Sequence, residues 1–125
     1  MGRVSGRACT VTGAAQGIGR AIGEALLDEG APVCFADIDG DKVAEVAARN
    51  GLRVNDPAAA TSVKVDVTDR AQVRAMIAHT AGTFGRLDAK FNSADVTGTT
   101  TFLAARDSDD MTGQIVMIDG GMTLV

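Results

Sequence analysis

The 125-residue sequence predicts a doubly wound α/β domain, and three observations support this prediction. Short apolar runs alternate with stretches whose apolar residues recur at helical spacing. A glycine-rich turn joins the first run to the first helical stretch, and no internal repeat or low-complexity linker interrupts the alternation. Strands that alternate with helices require right-handed crossovers, and these produce a parallel sheet with helices on both faces.

The predicted strands and helices follow one another in regular order. Each strand is a short apolar or β-branched run, whereas each helix repeats its apolar residues every three or four positions. The first half contains strand 8–12, helix 19–27, strand 32–37 and helix 41–49. The second half contains strand 62–67, a helix from an N-cap at Thr68 to about Thr80, strand 87–92 and strand 114–119. Residues 55–61 and 97–101 are predicted to be irregular.

Length and charge limit the classes of function that the chain can have. A chain of 125 residues fits one domain with a modest core, so residues 1–125 are predicted to form a single domain. The formal net charge is -4 and the sequence pI is about 4.8, so the chain lacks the basic surface that nucleic acids and anionic membranes require. No apolar run reaches the roughly 18 residues of a membrane helix, and no signal-peptide core is found. These features predict a soluble, cytoplasmic protein.

The cysteines and acidic clusters do not predict a metal site. Cys9 and Cys34 each lie inside an apolar run and form no CxxC pair, so buried, reduced thiols are predicted. The acidic cluster Asp107–Asp110 lacks the ligand spacing of a calcium loop and is interpreted as a solvated turn.

The motif TGAAQGIG, at positions 12–19, lies between the first predicted strand and the first predicted helix. Gly13 allows a sharp turn off the strand, Gly17 lets a ligand approach the backbone, and Gly19 lets the helix and strand pack closely. The N-terminus of the helix offers free N–H groups and a positive dipole end to a pyrophosphate. A glycine-rich turn can also serve packing alone, but this strand-to-helix context favours dinucleotide binding.

Asp37 stands at the end of the second predicted strand. An acid at this position can accept hydrogen bonds from the hydroxyls of an adenosine ribose, and it repels a 2′-phosphate. The sequence therefore favours NAD over NADP as the cofactor, although a strand-end aspartate can also be merely solvated. A methyltransferase that uses S-adenosylmethionine also has a strand-end acid, but the spacing of Gly13, Gly17 and Gly19 fits that class less well.

Several motifs in one order resemble the short-chain dehydrogenase/reductase family. They are TGAAQGIG at 12–19, Asp37, DV at 66–67, GRLD at 85–88, FNSAD at 91–95 and TGQIVMIDGG at 112–121. The resemblance implies a Rossmann fold, NAD(P)-linked alcohol and ketone chemistry, and a homo-oligomer that could form through the C-terminal strand. In a chain this short it implies five strands in the order 3-2-1-4-5, with strand 114–119 beside strand 87–92.

The resemblance also implies a set of cofactor-binding residues. By position, Gly13, Gln16, Gly17, Ile18 and Gly19 would line the pyrophosphate, Asp37 and Ile38 the adenosine ribose, and Asp66 and Val67 the adenine. Asn92 would match the first asparagine of the family's Asn-Asn-Ala-Gly segment.

The chain departs from the family pattern in two places. Ser93 replaces the second asparagine and Asp95 replaces the glycine, so a negative charge stands where an anionic cofactor would pass, and weaker binding is expected. After FNSAD, the family normally continues through a long segment that carries the catalytic asparagine, serine, and a tyrosine four residues before a lysine. That segment is missing here, which predicts an internal shortening with its join within residues 96–105.

No catalytic residue is predicted in this chain, because it contains no tyrosine. His79 is its only histidine and lies late in a predicted helix, so it is expected on the surface rather than beside a substrate. Ser93 and the threonines at 99–101 have no evident base partner, which disfavours a hydrolase.

Two hypotheses of function follow. In the first, the chain is an NAD(H)-binding protein of the dehydrogenase type, whose family chemistry on alcohols or ketones is lost in this short form. In the second, it is a catalytically silent nucleotide-binding or oligomerisation module.

Overall fold

The computed structural model describes residues 2–93 and the backbone of a short strand at 115–116. These residues form a parallel sheet of five strands with helices on both faces, as the sequence predicts. The strands are β1 (Cys9–Thr12), β2 (Val33–Asp37), β3 (Ala60–Lys64), β4 (Ala89–Asn92) and β5 (Ile115–Val116). The helices are α1 (Gly17–Asp28), α2 (Gly40–Arg53) and α3 (Arg70–Phe84), and a short 3-10 turn occupies Pro57–Ala59.

The strand order is β3-β2-β1-β4-β5, which confirms the predicted order. β1 lies between β2 and β4, with Thr10 opposite both Cys34 and Lys90. Strand β5 pairs with β4 where Lys90 faces Ile115. The other residues of the predicted strand 114–119, and the predicted join at 96–105, lie outside the described part of the chain.

The two faces of the sheet are packed by different helices because alternate strand residues point to opposite sides. On one face, buried Val11 and Phe35 pack with Leu27 of α1 and Val43 of α2. The opposite face carries a smaller cluster in which Met76 of α3 packs with two further buried residues, Ala36 and Val65. The described part of the chain contains no helix long and apolar enough to cross a membrane.

The boundaries of β3 and α3 differ from those predicted. β3 begins two residues early, at Ala60, and ends at Lys64, because its register with β2 places Lys64 opposite the last β2 residue, Asp37. The N-cap of α3 is Asp69 rather than Thr68, since the Asp69 carboxylate accepts hydrogen bonds from the first-turn N–H groups. The helix then continues past the predicted end to Phe84, where Gly85 adopts a left-handed conformation at φ 80°.

Helix α2 runs four residues beyond its predicted end at Arg49. Asn50 is only 1% exposed and donates to the Val46 carbonyl at 2.9 Å and to Glu24 of α1 at 3.1 Å. Its side-chain oxygen accepts from Arg53 Nε at 2.9 Å. The sequence pattern predicts that α2 ends before the polar Asn50. The helix continues because the side chain of Asn50 is buried with its hydrogen bonds satisfied, partly by α1.

Both cysteines are buried and form no disulfide, which confirms the predicted buried thiols. Burial, aided by the nearby Asp88 carboxylate, raises the pKa of the Cys9 thiol to about 12. Burial also raises the pKa of Cys34, so neither thiol is a ready nucleophile.

Asp88, in the GRLD motif, joins the start of β4 to β1. Its Oδ2 accepts from the Ala8 N–H at 2.8 Å, and its own N–H donates to the Ala8 carbonyl at 2.8 Å. A hydrogen bond from the Arg86 guanidinium is the main reason that the pKa of Asp88 lies below its usual range. This motif therefore aligns two strands of the sheet.

Candidate functional site

All the residues predicted to bind a cofactor lie at the carboxyl ends of the strands. The glycine-rich segment Gly13–Gly19 follows β1, Asp37 ends β2 and is followed by Ile38, Asp66 and Val67 follow β3, and Asn92 ends β4. The chain leaves β1 toward β2 on one side, while β4 pairs with β1 on the other side. Ligands of doubly wound sheets bind at such a reversal of strand order.

The glycine loop presents backbone rather than side chains to the space beyond the sheet. Gly13 and Gly17 have positive φ values of 65° and 60°, which a side chain would strain. Within the described part of the chain, a Cβ on Gly17 would meet no heavy atom within 4 Å, so this side of the loop is open. The N-cap of α1, Gln16, forms no side-chain capping bond, and the first turn carries no acidic residue. The first N–H groups of α1 therefore remain suited to an anion.

Gly19 is required by packing rather than by its backbone angles. A Cβ at this position would lie 2.1 Å from the Gly13 carbonyl oxygen and 2.5 Å from Ser93 Oγ. Ser93 itself donates a hydrogen bond to the Thr12 carbonyl. Ser93, which directly follows β4, therefore contacts the start of the glycine loop. It is one of the residues at which the chain departs from the family pattern.

The Asp37 carboxylate contacts the glycine loop directly. Its Oδ2 accepts from the Ala15 N–H at 3.0 Å, and its Oδ1 accepts from the Asp39 N–H at 3.0 Å. A backbone hydrogen bond from Ala14 to the Ala36 carbonyl, also 3.0 Å, runs beside the first of these. The strand-end acid thus fixes the loop after β1 against the loop after β2, a role that its position in the sequence did not reveal.

Exposed apolar side chains follow the carboxyl ends of three strands. Four large hydrophobic residues in the described part of the chain are exposed: Leu52 of α2 by 75%, and, nearer the strand ends, Ile38 by 63%, Val67 by 51% and Ile18 by 37%. Ile38 and Val67 lie in the loops after β2 and β3, and Ile18 lies in the first turn of α1. Exposed apolar surface next to free N–H groups and a carboxylate is typical of a small-molecule site.

Asp66 is half-buried and organises the turn after β3. Its Oδ1 accepts from the Thr68 hydroxyl at 2.6 Å and from the Thr68 N–H at 2.9 Å. These two hydrogen bonds lower the pKa of Asp66 below its usual range. Thr68, predicted to cap the next helix, is instead a partner of this carboxylate.

Asn92 and the remaining candidates take separate positions. Asn92 lies opposite Thr12 at the end of β4, beside the glycine loop. His79 is exposed, and its Nε2 lies 3.0 Å from the hydroxyl of Thr61, near the start of β3, which confirms the predicted surface histidine. Asp95, the threonines at 99–101 and Asp107–Asp110 lie outside the described residues. Within residues 2–93, no three His, Cys, Asp or Glu residues form a group that could hold a metal ion.

A contact of Lys42 at the site was also missed by sequence reasoning. Lys42, in the first turn of α2, donates to Gln16 Oε1 at 2.5 Å, although 26 positions separate them. From the sequence alone, a lysine in a helix is expected to be solvated. The only indication of the contact is that Lys42 follows shortly after the strand-end acid, Asp37.

Comparison with known proteins agrees with this geometry. The family model described as short chain dehydrogenase matches residues 7–119. The chain is 38% identical over 97 residues to the short chain dehydrogenase/reductase dpchG of Colletotrichum higginsianum, covering 74% of this chain and 34% of that protein. It is 36% identical over 109 residues to oxidoreductase UcpA of Salmonella typhimurium, covering 87% and 40%.

A solved structure shows the same fold. A hydroxysteroid dehydrogenase from Escherichia coli superposes with a TM-score of 0.65 at 25% identity, over 70% of this chain and 36% of that one. The chain therefore spans between a third and two fifths of the length of the proteins that it matches.

Proposed function

Because the chain belongs to the short-chain dehydrogenase family, we propose that it binds NAD(H) at the carboxyl ends of β1 to β4. The family chemistry is the NAD-linked interconversion of alcohols and ketones. The contact between the Asp37 carboxylate and the Ala15 N–H supports the proposal most strongly, because it holds an acid beside an open glycine loop. When bound, the nicotinamide cofactor supplies the acceptor or donor of a hydride.

The described residues fit a dinucleotide. Gly17 leaves open space beside the loop, and α1 offers its first-turn N–H groups to a pyrophosphate. Exposed Val67 offers apolar surface to an adenine and Asp66 offers it a hydrogen-bond acceptor, while Ile38, also exposed, lies next to Asp37 on the ribose side. Asn92 and Gly19 complete the proposed set at the β1–β4 side.

We infer a preference for NAD over NADP from Asp37. Each oxygen of this carboxylate accepts one backbone hydrogen bond, and a carboxylate oxygen can accept more than one. Ribose hydroxyls can therefore still donate to Asp37, whereas a 2′-phosphate would be repelled by it.

Asp37→Ala is expected to erase most of the preference for NADH over NADPH. Loss of a charged hydrogen-bonding partner costs on the order of 1.5 to 3 kcal/mol, or about 10- to 150-fold in affinity for NADH. The loop also loses its contact with Asp37, so the ratio of the two dissociation constants is the informative quantity. Calorimetric titration with both cofactors measures it.

Asp41→Ala is the matched control, since it removes an exposed acid from the first turn of α2. It should leave the ratio within about twofold, as surface charges contribute little. Equal affinities of the unsubstituted protein for NADH and NADPH would contradict the assignment of Asp37.

We also propose a homo-oligomer formed through residues 114–122, in a single domain of residues 1–125. In the described residues, β5 lies at the end of the strand order, beside β4. An edge strand presents unpaired backbone groups that favour association with a second copy.

A further inference from the structure

The dipeptide Asn50–Gly51 lies near the C-terminal end of α2, which ends at Arg53. An asparagine followed by glycine is the pair most prone to deamidation in an unfolded chain, because glycine has no side chain to hinder attack by its backbone nitrogen. The chain contains two other asparagines, Asn55 and Asn92, and neither precedes a glycine. Asn50 is therefore the asparagine at which the unfolded chain is most reactive.

Deamidation converts the side-chain amide to a carboxylate, and water is its only co-reactant. The Gly51 backbone nitrogen loses its proton and attacks Cγ of Asn50, so that a C–N bond forms and the side-chain nitrogen leaves as ammonia. Water then opens the resulting cyclic imide at either of its carbonyl groups, which gives aspartate or isoaspartate. The reaction therefore replaces an amide that donates hydrogen bonds by a negative charge.

The native fold restrains both of the groups that must react. Asn50 is 1% exposed, and its amide nitrogen donates to the Val46 carbonyl at 2.9 Å and to Glu24 of α1 at 3.1 Å. Its side-chain oxygen accepts from Arg53 Nε at 2.9 Å. Gly51 is buried within α2, where a helical N–H is bonded to the carbonyl four residues earlier. The attacking nitrogen and the amide are therefore both engaged in other contacts.

Packing explains why both residues of this reactive pair are present. A Cβ on Gly51 would lie 2.9 Å from the backbone Cα of Pro57, and the Gly51 carbonyl accepts from the Asp56 N–H at 2.9 Å. Asn50 joins α2 to α1 through Glu24. The tertiary contacts that favour this dipeptide are therefore also the contacts that protect it.

We propose that Asn50 is a deamidation site that the native fold protects, and that its modification irreversibly loosens the packing of α2 on α1. The aspartate product loses both N–H donors, so a buried carboxylate would face the Val46 carbonyl and the Glu24 carboxylate. Arg53 attracts the new charge from one side only. Isoaspartate also inserts a methylene group into the backbone, which interrupts the helical hydrogen bonds. Local opening of the end of α2 is the step that starts this change.

Peptide mapping by mass spectrometry can follow the loss of each asparagine amide in the 125-residue chain, at neutral pH, with and without urea. In urea, Asn50 should react faster than Asn55 and Asn92. In the native protein its reaction should be slower on the order of 100-fold or more, because only the opened population reacts. An equal rate at Asn50 in both conditions, or a faster reaction of another asparagine in urea, would overturn the inference.

Glu24→Ala tests protection by the contact between α1 and α2. It removes one acceptor of the Asn50 amide and should raise the native rate about tenfold, the factor expected for a hydrogen bond to a charged group. Glu45→Ala is the matched control, since it removes an exposed acid from α2, and it should leave the rate unchanged. Equal rates in the two variants would contradict the role given to Glu24.

Asn50→Asp reproduces the aspartate product directly, and Asn55→Asp is its control at an exposed position. Asn50→Asp should lower the midpoint of urea unfolding by about 1 M, because it leaves a buried charge beside Glu24. Asn55→Asp should leave the midpoint in place. An Asn50→Asp protein as stable as the control would overturn the proposed loosening of α2 on α1.

Discussion

Gly19→Ala is expected to destabilise the protein by about 3 kcal/mol and to abolish dinucleotide binding. The added methyl group would lie 2.1 Å from the Gly13 carbonyl oxygen, which is backbone and cannot rotate away. The glycine loop or α1 must therefore shift, and the N–H groups proposed to bind the pyrophosphate shift with them. Urea denaturation measures the loss in the free energy of unfolding, and NADH titration measures the loss of binding.

Gly82→Ala is the control for this substitution. Gly82 lies in α3, and in the described part of the chain a Cβ there would meet no heavy atom within 4 Å. Alanine should stabilise the helix by about 0.5 to 1 kcal/mol and leave binding unchanged. A Gly19→Ala protein as stable as the Gly82→Ala protein would show that the close packing of Gly13 and Gly19 is not required.

The 125-residue chain is expected not to oxidise alcohols or reduce ketones with NAD(H). The family chemistry, as the resemblance implies, uses a tyrosine as proton donor and acceptor, and this chain contains none. Loss of general acid–base catalysis typically costs about 100- to 10,000-fold in rate, and loss of substrate positioning adds to that. NADH absorbance, followed against a panel of secondary alcohols and polyols, measures the rate.

A full-length member of the family, run in the same assay with its own substrate, serves as the positive control. Protein free of host dehydrogenases is needed, because a trace of an active relative would imitate turnover. Robust turnover that disappears in Asp95→Ala would contradict the expectation and would show that this chain has a different acid–base group.

The fold could be predicted from the sequence where local pattern and connection rules act together. The apolar runs at β1 and β2, the glycine turn and the alternation with helices were sufficient for the parallel sheet, and the resemblance supplied its strand order. Element ends were less predictable because tertiary contacts set them. Asn50 extends α2 through its contact with α1, and the pairing of β3 with β2 shifts β3 toward Ala60.

The position of the candidate residues at the carboxyl ends of the strands could be predicted from the sequence, but their contacts could not. Its members are marked by position after a strand, so Gly13 and Asp37 could be named from the sequence alone. The contacts of Asp37 with Ala15 and of Lys42 with Gln16 join residues that are 22 and 26 positions apart. Such contacts depend on how segments that are distant in the sequence approach each other at the carboxyl ends of the strands, and no local sequence pattern predicts that approach.

The most direct test of NAD(H) binding at the carboxyl ends of the strands is an NMR titration of the isotopically labelled chain with NADH, followed through its backbone amides. The account predicts shifts at the amides of Gly13, Ile38 and Val67, which lie in the loops after β1, β2 and β3, and at the amide of Ile18, in the first turn of α1. The amide of Gly82, in α3, should stay in place. Saturating NADH that shifts none of these four amides, or that shifts Gly82 instead, would contradict the proposal that the dinucleotide binds at the carboxyl ends of the strands.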